Sequence, residues 1–123
     1  MTGLRATKLA LLLAAALAIT ACSHAAVVGS DRTVQIQLSE YRLAPQDIRV
    51  SRGLVTIIVH NHGLLDHNLA LFQNGQTVDS INPLSPGETS QMTLFLSPGT
   101  YSMASTVLSD QSLGAYGTLR VTK

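Results

Sequence analysis

The chain has 123 residues, with eight Lys and Arg against seven Asp and Glu and a single cysteine. A mature length of about one hundred residues supports one modest core and one domain. One cysteine excludes an intramolecular disulfide, and a net charge near zero gives no electrostatic reason to seek nucleic acid.

In chain order, Arg5 and Lys8 open a short positive region, and Leu9 to Ile19 is an apolar run rich in Leu and Ala. Small residues then close it before Cys22, the order of a secretory signal peptide. The run falls well short of the roughly 20 residues needed to span a bilayer. The ending Ile19-Thr20-Ala21-Cys22 resembles the lipobox of bacterial lipoproteins. That resemblance implies lipid transfer to the Cys22 thiol, cleavage before it, and acylation of the new N-terminus. One acyl chain binds membrane marginally, while two or three hold stably. The expected location is therefore the cell envelope, anchored through acylated Cys22 to membrane lipid on the extracytoplasmic side. Loss of residues 1–21 removes Arg5 and Lys8, leaving six basic against seven acidic residues and a net charge of −1.

Residues 22–32 are small and polar enough to read as a lipidated tether. From Thr33 onward, apolar residues alternate at period two, which is the strand signal. Val34, Ile36 and Leu38 share one parity, and Ile48 and Val50 repeat it after Pro45. Val55, Ile57 and Val59 follow Gly53, and Leu69 and Leu71 follow His67. Met92, Leu94 and Leu96 come after Pro86-Gly87, Tyr101 and Met103 after Pro98-Gly99, and Leu119 and Val121 close the chain. Gly and Pro punctuate these runs as turns would, and no stretch holds a helical period. The pattern predicts an all-β antiparallel sandwich or small barrel over residues 33–123.

Three segments resemble the cupredoxins, small copper proteins of the plastocyanin and azurin kind. The first runs from Tyr41-Arg42-Leu43-Ala44-Pro45 through Val50, Arg52-Gly53 and the strand to Val59. The second, Asn61-His62-Gly63-Leu64-Leu65-Asp66-His67-Asn68-Leu69, is similar to the family's Asn-x-Gly-x-x-x-His-Asn segment. The third is Ser97-Pro98-Gly99-Thr100-Tyr101 with Gly114 and Gly117-Thr118-Leu119-Arg120-Val121. The resemblance implies a Greek-key β-sandwich. It also implies a copper site built from His67, a cysteine, a second histidine and an axial methionine. In the same register the last three positions hold Ser105, Asp110 and Ala115. A blue-copper site depends on a thiolate in a His₂Cys set, so the degenerate positions Ser105, Asp110 and Ala115 argue against one.

With no copper, the His67 imidazole needs another partner, because an unpaired buried polar group costs about 1–3 kcal/mol. Asp110 is the candidate, and the two are expected within hydrogen-bond reach. Ser105, His67 and Asp110 are also the residue types of a hydrolytic triad, which requires the imidazole between hydroxyl and carboxylate. His60 and His62 form a His-x-His pair, and residues at i and i+2 share a strand face where Cu(II) or Zn(II) can be gripped. Met92 and Met103 sit at apolar parity and read as core. Asn61, by its place in the family pattern, is expected to tie two ligand loops together.

The expected role is a non-enzymatic binding or accessory module with no cofactor. The alternative is a copper- or zinc-binding protein using His60, His62 and His67. No nucleic-acid partner is expected, and the sequence names no protein or small-molecule partner.

Overall fold

The structure, a computed structural model, describes residues 24–123; the predicted leader and Cys22 lie outside the described residues. Ten strands and one helical turn follow in order: Ala26–Val27 (β1), Thr33–Ser39 (β2), Arg42–Ala44 (β3), Asp47–Ser51 (β4), Gly53–Asn61 (β5), His67–Gln73 (β6), Gln76–Leu84 (β7), Thr89–Leu96 (β8), Gly99–Ala104 (β9), Asp110–Leu113 (α1) and Tyr116–Thr122 (β10). They form a four-stranded sheet, β3-β2-β5-β8, and a six-stranded sheet, β1-β4-β10-β9-β6-β7.

Period-two alternation decides which face each strand buries. In β2, Val34, Ile36 and Leu38 turn inward while Gln35 and Gln37 face out. In β5, Val55, Ile57 and Val59 are buried. The other sheet meets them with Ile48, Leu69, Leu71, Met103 and Leu119. Met92 and Met103 lie in this core, as their parity predicts. A one-residue slip of any such strand would turn its whole apolar set to solvent, so the register is strongly specified.

The sandwich is all-β in character, but its sheets are mixed. The pairs β1–β4, β4–β10 and β2–β5 are parallel, and the other pairs are antiparallel. Parallel neighbours need a crossover rather than a hairpin. Here the chain leaves β2, adds β3, crosses to β4 in the other sheet and returns as β5.

Four elements were not legible from periodicity, one of them the three-residue strand β3 with Leu43 as its one buried residue. The strand β1 lies within residues 22–32, the segment read as a tether. Ala26 and Val27 pair with Ile48 and Arg49, and Val28 packs against the core. Two residues are too few to carry an alternating signal. The strand β7 is an edge strand with only Ile81 and Leu84 buried, and its pairing with β6 has register shifts. It also contains Pro83, which belongs on sheet edges. The single turn α1 is shorter than any window that reveals a helical period.

The topology gathers one set of strand ends. Both β2 and β5 finish where β6 and β10 begin and β9 ends. Asn61 closes β5, His67 opens β6, Ala104 closes β9 and Tyr116 opens β10. Asn61, His67, Ser105, Asp110 and Ala115, singled out from the sequence, converge inside that end.

Candidate functional site

Five polar residues are buried in the domain: Asn61, His67, Asn68, Ser105 and Asp110. All lie at this one end. His67 sits at the first position of β6, only 1% exposed. Asp110 enters from the opposite side, on the turn after β9. That turn is closed on itself by backbone bonds, Ser105 N–H to the Ala115 carbonyl at 3.0 Å and Ala115 N–H to the Asp110 carbonyl at 2.9 Å. These bonds draw Ser105, Asp110 and buried Ala115 together, with Gly114 in a left-handed conformation at φ 128° as the helical turn ends.

His67 Nδ1–H donates to Asp110 Oδ2 at 2.6 Å, so the predicted pairing is present. Ser105 Oγ–H donates to the same Oδ2, also at 2.6 Å. The Ser105 oxygen in turn accepts the Asn68 N–H at 3.2 Å. The Asn68 side chain bridges to Thr106, accepting its N–H at 2.6 Å and donating to its hydroxyl at 2.9 Å. No buried side-chain polar atom among the described residues lacks a partner. A fully satisfied polar network of this kind is rigid, since each member would be costly to strand.

The order within the cluster decides its chemistry. A hydrolytic triad needs the imidazole between hydroxyl and carboxylate. Here the carboxylate lies between hydroxyl and imidazole, and the other ring nitrogen faces Glu40 instead of Ser105. His67 is therefore in no position to take the Ser105 proton.

Glu40 is a site residue that sequence reasoning missed. It lies just beyond β2, and its Oε1 is 3.3 Å from His67 Nε2. The same oxygen accepts the N–H groups of Leu64 at 2.5 Å and Leu65 at 2.9 Å. No motif marks it, because it reaches His67 across 27 positions of sequence. Gly63 makes the approach possible. A Cβ there would stand 2.5 Å from Glu40 Oε1 and 2.9 Å from His67 Nε2.

The imidazole is thus held between two carboxylates on opposite ring nitrogens. Burial by itself lowers the His67 pKa and is the largest single influence. The hydrogen bond with Asp110, then that with Glu40, and the charges of both carboxylates outweigh it, so the pKa is raised above 6.5. The Glu40 carboxyl falls from 4.5 to about 2, chiefly through the Leu65 N–H, then its own N–H, with further help from Leu64 and His67 against a smaller opposing effect of burial.

Asn61 does tie segments together, though different ones from those expected. Its Oδ1 accepts the Gly63 N–H at 2.8 Å, and its Nδ2 donates to the carbonyls of Leu65 and Leu84, each at 2.8 Å. It locks the turn before His67 to the end of β7 and makes no bond with the Ser105–Ala115 loop.

His60 and His62 stand apart from this cluster. His60 is half-buried and His62 exposed on the outer face of the four-stranded sheet, while His67 is enclosed. Their rings lie 4.2 Å apart between centroids, tilted by 53°. His60 Nδ1 bonds the Thr89 hydroxyl. The pair borders a concavity that also includes Gln35, Gln37 and Pro45. The three histidines therefore do not converge on one centre.

The donors at the buried end do not fit a blue-copper ion. Thiolate, second imidazole and thioether are absent, and both nitrogens of His67 are engaged by carboxylates. Those two carboxylates bind opposite sides of one ring and cannot close on a common ion. Among the described residues no group of three or more His, Cys, Asp or Glu is arranged to hold a metal.

Solved structures share this architecture. Reduced auracyanin from the photosynthetic bacterium Roseiflexus castenholzii superposes with a TM-score of 0.71 at 18% identity, covering 77% of this chain and 100% of that one. Auracyanin A, a "blue" copper protein from Chloroflexus aurantiacus, gives 0.65 at 20% identity over 78% of this chain and 99% of that one. A purple cupredoxin from Nitrosopumilus maritimus gives 0.55 at 20% identity over 72% and 99%. These likenesses are of fold. No curated protein sequence matches the chain. The family model for a cupredoxin-like domain matches residues 9–115, and the chain belongs to that cupredoxin-like family.

Proposed function

We propose that this protein is a lipid-anchored, extracytoplasmic binding or accessory module that works without a blue-copper centre and without catalysis. The observation that carries the reading is Asp110 Oδ2, 2.6 Å from both Ser105 Oγ and His67 Nδ1. A carboxylate and a hydroxyl occupy the loop positions where the family resemblance expects metal ligands; the carboxylate satisfies the histidine, and the hydroxyl donates to that carboxylate. The inverted order of hydroxyl, carboxylate and imidazole supports the non-enzymatic part. The membrane part rests on the leader and Cys22. In this reading the acyl chains on Cys22 supply the attachment. Metabolic labelling with palmitate tests this directly. Label should enter the wild-type chain and be absent from Cys22→Ser.

A second reading has its own observation, the close ring pair of His60 and His62. Two imidazoles on one strand face, one of them oriented through its other nitrogen, can chelate Cu(II) or Zn(II) with water completing the shell. Metal content after loading and dialysis separates the two readings. Stoichiometric copper or zinc that is lost in His60→Ala and His62→Ala supports metal handling at the outer face. Metal-free protein supports the accessory module, and an intense visible thiolate band would overturn both.

A further inference from the structure

The site end has an inverted polarity. Its interior holds Asn61, His67, Asn68, Ser105 and Asp110, while its surface carries large apolar side chains. Leu64 is 85% exposed and Leu108 98% exposed, with Leu65 and Leu113 more than half exposed. Scattered surface leucines need no explanation, but buried polar groups beneath an apolar rim do.

The backbone holds these leucines outward. Glu40 clamps the N–H groups of Leu64 and Leu65 beside His67. Leu108 has a left-handed φ of 48° two residues before buried Asp110, in the same closed loop. The rim also carries Tyr41, whose carbonyl lies against Gly114, and Tyr116 at the start of β10. Both are about half exposed, an apolar ring with a polar tip.

The chain enters the domain from this same end. The strand β1 runs parallel to β4 and β10, and β10 starts at the site end and runs away from it. Ala25, just before this strand, accordingly lies beside Asp47 and Thr118, on the rim side of Ala26. Cys22 precedes Ala26 by four residues, an extended reach of at most about 14 Å. An acylated Cys22 must keep this end close to the bilayer.

We infer that the apolar rim of Leu64, Leu65, Leu108, Leu113, Tyr41 and Tyr116 seats on the surface of the membrane that carries the chain's own lipid anchor. This inference rests on the lipid-anchor reading. The occupant is lipid because the tether brings lipid to this end before any other partner can diffuse there. Insertion of the leucines to the depth of the headgroup–acyl boundary, with the tyrosines at headgroup level, suits each side chain. The contact is apolar and not charge-driven. Glu40 and exposed Asp66 share the end with Arg42, so neutral phosphatidylcholine suffices as the surface.

The test uses the full-length lipidated protein, purified in detergent and reconstituted into phosphatidylcholine vesicles. A fluorophore is attached through Leu64→Cys, Leu108→Cys or, at the far end, Phe95→Cys. Acylation leaves the introduced cysteine as the free thiol. Flotation reads anchoring, and quenching by headgroup-proximal nitroxide lipid reads which face meets the bilayer. The expected result is flotation with at least about twofold quenching at 64 and 108 and none at 95. Flotation with equal or absent quenching at all three overturns the docking and leaves the anchor standing. The rim would then be a protein-binding surface. Protein that fails to float overturns the anchor and the docking with it.

Discussion

At Asp110, one carboxylate oxygen accepts from both Ser105 and His67 in a place almost closed to water. Truncating it leaves a hydroxyl and an imidazole without their shared partner. Removing one member of a buried charge pair costs about 3–5 kcal/mol, so Asp110→Ala should lose stability in that range by urea unfolding. A loss under about 1 kcal/mol would mean that the pair contributes little. His67 also ties stability to pH. Its folded pKa lies above its ordinary 6.5, so its contribution is complete below pH 6.5 and is lost as pH rises through the folded value. Glu40 has the opposite sign. With a folded pKa of about 2 against 4.5, its contribution is complete above pH 4.5 and is lost as pH falls toward 2. Together these two groups predict greatest stability between pH 4.5 and 6.5. Urea midpoints that stay level from pH 5.5 to about pH 8.5 would refute the His67 part. The His67–Asp110 contact was legible in the sequence through the family resemblance, whose register put Asp110 at the position of a ligand beside the histidine. Glu40 was not, because nothing local distinguishes it from any acidic residue at a strand end.

Among the elements, β10 depends on a close approach that its sequence only hints at. Gly117 packs against β4's lead-in so closely that a Cβ would stand 2.3 Å from the Gln46 carbonyl oxygen. The Thr118 N–H donates to that same oxygen at 2.6 Å. Backbone cannot yield as a side-chain tip can, so Gly117→Ala should destabilise by about 1–3 kcal/mol. A thermal melt unchanged from wild type would show that the two segments can part. Strands whose inner face alternates cleanly, such as β2 and β5, were readable residue by residue because burial is one-sided. The strands β1 and β7 were not. Their places come from main-chain pairing with β4 and β6, which any side chains allow.

At the scale of the molecule, the sandwich supplies a frame that does not depend on the ligands it holds. His67 comes from β6, while Ser105 and Asp110 come from the loop between β9 and β10, with four residues between Ser105 and Asp110 and four between Asp110 and Ala115. The variant Ser105→Cys with Asp110→His and Ala115→Met should therefore bind Cu(II) with an intense visible thiolate band. Soluble, folded variant with no such band on copper titration would show that the frame no longer holds the ligand geometry.

By itself the sequence determined the all-β class, the inward parity of most strands, the family resemblance and the loss of the copper ligands. Periodicity and residue type are local properties, and a missing thiolate cannot be restored by folding. That His60 faces away from the core was already readable from the inward parity of Val55, Ile57 and Val59. The tertiary structure alone decided how the residues at the ligand positions connect. It brought Glu40 to the second nitrogen of His67 and put a carboxylate, not an imidazole, at the centre of the cluster. Each of these depends on segments distant in the chain meeting at one strand end, where distance and direction, and not residue identity, select the partner.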